Sequence, residues 1–116
     1  GERGVLINTA SIAGYDGPPG AISYNAAKAA IAAMCLPMSR ELSRHAIRVM
    51  AIAPGIFETP MAKGLSQKYI DEMTAGIPFP KRFGDPAEYA ALVETIVTSP
   101  MLNGETIRID GGLRMR

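Results

Sequence analysis

The length and composition of this chain fit a single small globular domain. Its 116 residues include 12 basic and 11 acidic side chains, giving a formal net charge of +1, and 47% of them are hydrophobic. The balanced charge gives no electrostatic reason to expect nucleic acid or an anionic membrane as a partner. No apolar run approaches the roughly 20 residues needed to cross a bilayer, and the single cysteine excludes an internal disulfide.

The first half of the chain predicts a strand, a loop and a long helix. Residues 4–12 are rich in Val, Leu and Ile, which is typical of a parallel strand covered on both faces. Residues 13–22 contain three glycines and two adjacent prolines, which predicts a loop. Residues 23–44 are dominated by good helix formers, so we expect a helix with Ser23 as its N-cap and a bend or break at Pro37.

The second half of the chain predicts two further strands and a second long helix. Residues 47–53 form a short apolar run that Pro54-Gly55 ends, and residues 105–110 alternate in polarity, so both predict strands. Residues 61–76 predict two polar helical pieces. A helix starts at Asp85, which is followed by Pro86 and Glu88 at capping-box spacing. Its predicted buried stripe comprises Tyr89, Leu92, Val93, Ile96 and Val97.

Strands and helices therefore alternate along the whole chain. This order favours a parallel α/β fold with right-handed crossovers. Three strands alone would leave an apolar sheet edge without a neighbour, because each edge strand has unpaired backbone groups. We therefore expect part of a larger parallel sheet, and the family resemblance described below implies the C-terminal portion of a doubly wound, Rossmann-type one.

Three residues form a candidate catalytic group. Tyr24 and Lys28 are four residues apart near the start of the long helix, so their side chains lie on one face. A neighbouring ammonium group favours the phenolate form of a tyrosine and makes it usable in acid–base catalysis. Ser11 lies thirteen residues before Tyr24, at the end of the first strand, where ligands gather in open parallel sheets.

Four blocks of sequence carry a family resemblance. They are NTAS at 8–11, YNAAK at 24–28, IRVMAIAPG at 47–55 and a threonine at Thr59. Together they resemble the short-chain dehydrogenases/reductases. The later segments, IPFPKRFGDPAEYAALV and LNGETIRIDGG, are similar to the subgroup of type-2 3-hydroxyacyl-CoA dehydrogenases. The resemblance implies an oxidoreductase that interconverts a secondary alcohol and a ketone.

The resemblance also implies roles for individual residues. Ser11 would bind and polarise the substrate carbonyl, Tyr24 would act as the general acid–base, and Lys28 would bind the nicotinamide ribose and assist the tyrosine. Cofactor contacts would come from three residues after the second strand: Gly55, Phe57 and Thr59. Residues 61–77 resemble the substrate-binding loop of the family.

The cofactor and partners follow from the same resemblance. The subgroup favours NAD, while NADP stays open because the residues that distinguish them follow a strand outside this chain. A small-molecule substrate such as an acyl-CoA is implied, together with a homotetramer. We expect a cytoplasmic location, with a mitochondrial one open, since the start lacks a signal-peptide pattern.

Parts of the family pattern are not found in this sequence. The glycine-rich dinucleotide turn is missing, since Gly14, Gly17 and Gly20 have a different spacing and predict a flexible active-site rim. We therefore expect residues 1–116 to be the catalytic and substrate-binding half of one domain, without its dinucleotide-binding half. Two alternatives stay open: a 3-oxoacyl-carrier-protein reductase, and a catalytically incomplete structural half that associates with the missing half.

Two remaining residues predict no chemistry of their own. Cys35 lies in an Ala- and Met-rich helix and is expected to be a small buried apolar residue. His45, the only histidine, falls near a helix end without a second ligand nearby in sequence, so we expect no metal site.

Overall fold

A three-stranded parallel sheet forms the centre of the molecule. The computed structural model describes the backbone of residues 1–116 and every side chain except that of Met61. Strands β1 (Gly4–Thr9), β2 (Ile47–Pro54) and β3 (Thr106–Ile109) lie in the order β1-β2-β3. Both pairings are parallel, which confirms the predicted α/β fold. Among the residues described, no helix combines the length and the apolar character needed to span a bilayer.

Helices cover both faces of this sheet. Helix α2 (Ile22–Leu42) covers one face and α4 (Pro86–Thr98) covers the other. The chain also forms the shorter helices α1 (Ala13–Asp16) and α3 (Gln67–Thr74), and 3-10 turns at Ser43–His45 and Pro60–Gly64. The turn at Pro60–Gly64 and helix α3 are the two helical pieces predicted for residues 61–76, a segment that we call the insert. Helix α4 begins with the predicted capping box, in which Asp85 accepts from Ala87 N at 2.8 Å and Glu88 accepts from Asp85 N at 2.9 Å.

The core is built around the alternating side chains of β2. Val49 and Ala51 pack with Cys35 of α2 on one face of the sheet. Met50 and Ile52 pack with Ile96 of α4 on the other face. Because side chains of a strand point alternately to opposite faces, the centre of a strand covered on both sides is apolar at successive positions. All five residues from Val49 to Ala53 are fully buried.

Several sequence predictions about the helices were wrong: the start of α2, its break at Pro37 and one buried position of α4. Helix α2 begins at Ile22 with Ala21 as its N-cap and no side-chain cap, so Ser23 lies inside the first turn. The break predicted at Pro37 is not found, because α2 continues through this residue to Leu42. Val97 is 48% exposed and does not belong to the buried stripe of α4.

The segment after β1 is also more ordered than predicted. Strand β1 ends at Thr9, and residues 13–16, expected to be loop, form the short helix α1. Gly17 ends that helix in the left-handed conformation, with φ of 58°, which glycine adopts without steric cost. Its amide donates to the carbonyl of Ala13 at 2.9 Å.

Helix α1 and helix α2 touch backbone to backbone at Gly14. A Cβ atom at Gly14 would lie 2.6 Å from the amide nitrogen of Ala29 and 2.8 Å from the carbonyl carbon of Lys28. These distances are too short for any side chain. Glycine at this position therefore sets the closeness of the segment after β1 to the helix that carries Lys28.

An ion pair fastens the other side of α1. The guanidinium of Arg108, in β3, donates to both carboxylate oxygens of Asp16, from Nη1 at 2.9 Å and from Nη2 at 3.0 Å. The amide of Met115 donates to Asp16 at 2.9 Å as well. Mainly through the bond from Arg108, and despite the opposing effect of burial, the pKa of Asp16 is lowered. The contact joins residues that are 92 positions apart in the chain.

We predict that Gly14→Ala lowers the free energy of unfolding by about 1–3 kcal/mol, because the new methyl group must push the two backbones apart. Urea unfolding of the purified protein measures this change. Gly4→Ala is the matched control, since a Cβ at Gly4 would have no neighbour within 4 Å. Equal stability of the two variants would show that α1 and α2 can separate freely.

We predict that the stabilisation contributed by Asp16 is lost in acid. Its pKa is below the ordinary value of 3.8 in the folded protein, so the contribution is complete above that value and declines as the pH falls through the lower, folded pKa. The difference in unfolding free energy between wild type and Asp16→Asn should therefore shrink in this range. The hydrogen bond from Arg82 lowers the pKa of Glu88 to about 2. Glu88 is present in both proteins, so its contribution cancels from the difference in unfolding free energy. A difference independent of pH would contradict the assignment.

Candidate active site

The predicted site residues gather where the three strands end. In parallel strands the carboxyl ends share one edge of the sheet, and ligands of open α/β sheets bind beside that edge. Ser11 follows β1, Gly55 follows β2 and Asp110 follows β3. The topology thus places the candidate residues on one side of the molecule.

Ser11 lies below the surface with its oxygen already oriented. Its side chain is buried, and its Oγ accepts a hydrogen bond from the amide of Ala13 at 3.1 Å. The neighbouring amides of Ala10 and Ile12 donate to the carbonyls of Ile52 and Pro54 in β2. Because the amide of Ala13 uses an acceptor position of Oγ, the serine O–H can still donate to a substrate oxygen.

Lys28 lies between the tyrosine and the end of β1. Its Nζ is 5.8 Å from the centre of the Tyr24 ring and donates to the carbonyl oxygen of Thr9 at 3.3 Å. Thr9 is two residues before Ser11, so this bond ties the helix face of Tyr24 and Lys28 to the segment of the serine. The Tyr24 side chain is 53% exposed and accessible to a ligand.

The three residues predicted to contact the cofactor lie on the segment after β2. Gly55 donates to the carbonyl of Ile109 at 2.9 Å, and a Cβ there would lie 2.8 Å from that of Asp110, so packing alone requires glycine. Phe57 packs edge to face on Tyr89, with ring centres 6.1 Å apart. Thr59 is exposed, and its backbone carbonyl accepts a hydrogen bond from the amide of Ala62 at 2.9 Å.

Sequence reasoning missed two contacts at this edge. The side-chain amide of Asn25, next to Tyr24, donates to the carbonyl of Pro18 at 2.8 Å. This bond holds residues 14–20, the rim predicted from the three glycines, against α2. The hydroxyl groups of Thr9 and Tyr89 lie 2.6 Å apart. Asn25 lies inside the YNAAK block, where it could have been considered, but nothing in the sequence indicates that Pro18 is its partner.

An open cavity of about 730 Å³ lies beside the rim. It is bounded by the rim, by the insert that contains α3 and by the last residues of the chain, and its apolar lining includes Pro18, Ile56, Met73, Pro78, Leu113 and Met115. The insert therefore forms one wall of this cavity. Arg114 and Glu72 add charge to the same lining.

Cys35, the remaining reactive side chain, is away from this edge. Burial raises the pKa of its thiol, and its Sγ lies 3.5 Å from the carbonyl of Val49. A buried, protonated thiol is inert, so the expectation that Cys35 is a packing residue is confirmed. His45 ends the 3-10 turn that follows α2. Among the described side chains, no group of three or more His, Cys, Asp and Glu residues could hold a metal ion.

Known proteins are similar to this chain over nearly its whole length. Residues 1–114 match the family described as enoyl-(acyl carrier protein) reductase. A 3-hydroxyacyl-CoA dehydrogenase type-2 from Drosophila melanogaster is 53% identical over 99% of the chain, and the protein of that name from Homo sapiens is 51% identical over all of it. The chain spans 45% and 44% of their lengths.

A solved structure shows the same fold at nearly the same coordinates. The 3-hydroxyacyl-CoA dehydrogenase type-2 from Mycobacterium avium superposes on the whole chain with a TM-score of 0.98 and 43% identity, over 45% of its own length. The match in sequence and the match in structure both extend over almost every residue described above. The chain belongs to the short-chain dehydrogenase/reductase family.

Proposed function

We propose that the protein carrying this chain is a nicotinamide-dependent oxidoreductase that interconverts 3-hydroxyacyl-CoA and 3-oxoacyl-CoA. The observation that carries the proposal is the linkage of Lys28 to both Tyr24 and the end of β1, two residues before Ser11. The names of the most similar relatives support the substrate class.

Each of the three residues has a distinct task in this reaction. In the oxidative direction Tyr24 takes the proton of the substrate hydroxyl, and in reduction it returns a proton to the carbonyl oxygen. Ser11 donates a hydrogen bond to that same oxygen and fixes its orientation. Lys28, whose Nζ lies 5.8 Å from the centre of the tyrosine ring, supplies positive charge on the side of the helix where the proton is transferred.

The residues present fit a nicotinamide cofactor. Among the contacts of the described residues, the Lys28 ammonium donates one hydrogen bond, to Thr9, and so has N–H groups left for ribose hydroxyls. The cofactor supplies hydride transfer, while the protein supplies binding and orientation. We assign the remaining contacts to Gly55, Phe57 and Thr59, and we propose NAD rather than NADP on the basis of the subgroup resemblance.

The cavity beside the rim suits the acyl part of the substrate. Its apolar lining, which includes Ile56, Met73 and Leu113, can bury a hydrocarbon chain, while its open side leaves room for a bulky carrier group. The acyl chain would thus lie against the insert, and its oxidised carbon would point toward the strand ends.

We propose that the chain works as one half of a larger domain within a homotetramer. The matched relatives are more than twice its length, which supports a separate dinucleotide-binding half. Helix α2 exposes apolar side chains at Ile22, Met34 and Leu36, which supports contact with another subunit.

We predict that Tyr24→Phe lowers kcat about 10²- to 10⁴-fold, the range expected for loss of general acid–base catalysis. Thermal stability should stay near that of the wild type, because the tyrosine is largely exposed. The measurement is steady-state oxidation of 3-hydroxybutyryl-CoA with NAD, followed by absorbance of the reduced cofactor. Tyr15→Phe is the matched control, since Tyr15 is equally exposed and its ring remains.

Other outcomes would redirect the proposal. Near-normal activity of Tyr24→Phe would remove the catalytic assignment. Faster reduction of a 3-oxoacyl-carrier-protein with NADPH would favour the carrier-protein reductase. A purified 12.3 kDa chain that neither turns over nor binds NADH, while a longer protein does both, would show that the chain is a structural half.

A further inference from the structure

The segment that carries Ser11 is a rigid hydrogen-bonded unit. After Ser11 the chain turns at once into α1, where the amide of Gly14 donates to the carbonyl of Ser11 at 3.1 Å. The amides of Tyr15 and Asp16 both donate to the carbonyl of Ile12, at 3.0 and 2.9 Å. A displacement of Asp16 is therefore transmitted to the serine through backbone bonds.

Asp16 fastens the far end of this unit to β3, beyond the bonds that the amides of Ala10 and Ile12 make to β2. Its side chain is 7% exposed and accepts from both terminal nitrogens of Arg108 and from the amide of Met115. A bidentate arginine–carboxylate pair fixes orientation as well as distance, and it is stronger than a neutral hydrogen bond. The ring of Tyr15 adds a contact, with its centre 5.7 Å from Cζ of Arg108.

Arg108 is itself held in place from two further directions. Its Nε donates to Asp110 at 2.8 Å, and its Nη2 donates to the carbonyl of Leu113 at 2.9 Å. Arg108 also pairs with Ala53 in the register of β2 and β3. The guanidinium is therefore a fixed anchor and Asp16 is the part of α1 that it holds.

We propose that Asp16 is a positioning residue, which acts through Ser11, and that Arg108 is its anchor. This inference rests on the proposed function. Without the ion pair, α1 would still be connected to the strand, but the serine hydroxyl would no longer be held at one place relative to Tyr24. Misplacement of a catalytic group by about 1 Å can cost on the order of 100-fold in rate.

The test compares Asp16→Asn in two backgrounds of the full-length protein. With Ser11 present, kcat should fall about 10- to 100-fold while KM changes less. In a Ser11→Ala background the same substitution should change kcat by less than about twofold, because residues that act as a unit are not additive. Arg108→Lys keeps the positive charge but cannot donate two parallel hydrogen bonds to the Asp16 carboxylate. Its effect on kcat should depend on Ser11 in the same way.

Glu2→Gln is the matched control for these variants. It removes the ion pair of Glu2 with Arg48, which lies at the opposite end of the same sheet, and should leave kcat unchanged in both backgrounds. If Asp16→Asn lowers kcat equally in both backgrounds, its effect is general destabilisation and the proposal is overturned.

Hydrogen exchange separates this inference from the proposed function. Amides of residues 13–17 should exchange faster in Asp16→Asn than in the wild type, and Glu2→Gln should leave them unchanged. Unchanged exchange in Asp16→Asn overturns the positioning role even where no turnover is measured. If Ser11→Ala alone leaves turnover intact, the proposed function fails in its assignment of the serine, and the positioning role for catalysis fails with it, whatever the exchange rates are.

Discussion

The complete burial of the centre of β2 is the constraint on which the rest of the structure depends. Because Val49 to Ala53 are all inaccessible to solvent, α2 must cover one face of the sheet and α4 the other. Burying each large apolar side chain contributes about 1.5–3 kcal/mol. Parallel pairing on both sides of β2 then brings the ends of all three strands to one edge, where Ser11 and Gly55 lie.

The sequence predicted the features that depend on local pattern. The apolar run of β2 and the capping box at Asp85 indicate a buried strand and a helix start without any tertiary information. The predicted start of α2 was wrong because it relied on Ser23 as the N-cap. The helix instead begins one residue earlier, at Ile22, without a side-chain cap. Helix α1 was missed because its four residues are too few to show a helical period.

The candidate site was predictable as a set of residues but not as an arrangement. Spacing and resemblance select Ser11, Tyr24 and Lys28, since these lie in short recognisable blocks. The contacts that hold them are long-range: Asp16 meets Arg108 from 92 positions away, and Thr9 meets Tyr89 from 80 positions away. The neighbouring sequence does not indicate such a partner. For example, a solvent-exposed Asp or Arg and one in an ion pair have the same local sequence pattern.

Lys28 differs from the buried and half-buried arginines in the kind of group that holds its charge. Elsewhere in the part of the chain that is described, buried or half-buried arginines are paired with carboxylates: Arg48 with Glu2, and Arg108 with Asp16 and Asp110. Lys28 instead is held by a neutral backbone carbonyl, that of Thr9. A carboxylate in that place would neutralise the ammonium, whereas a carbonyl leaves its positive charge uncompensated beside the ring of Tyr24.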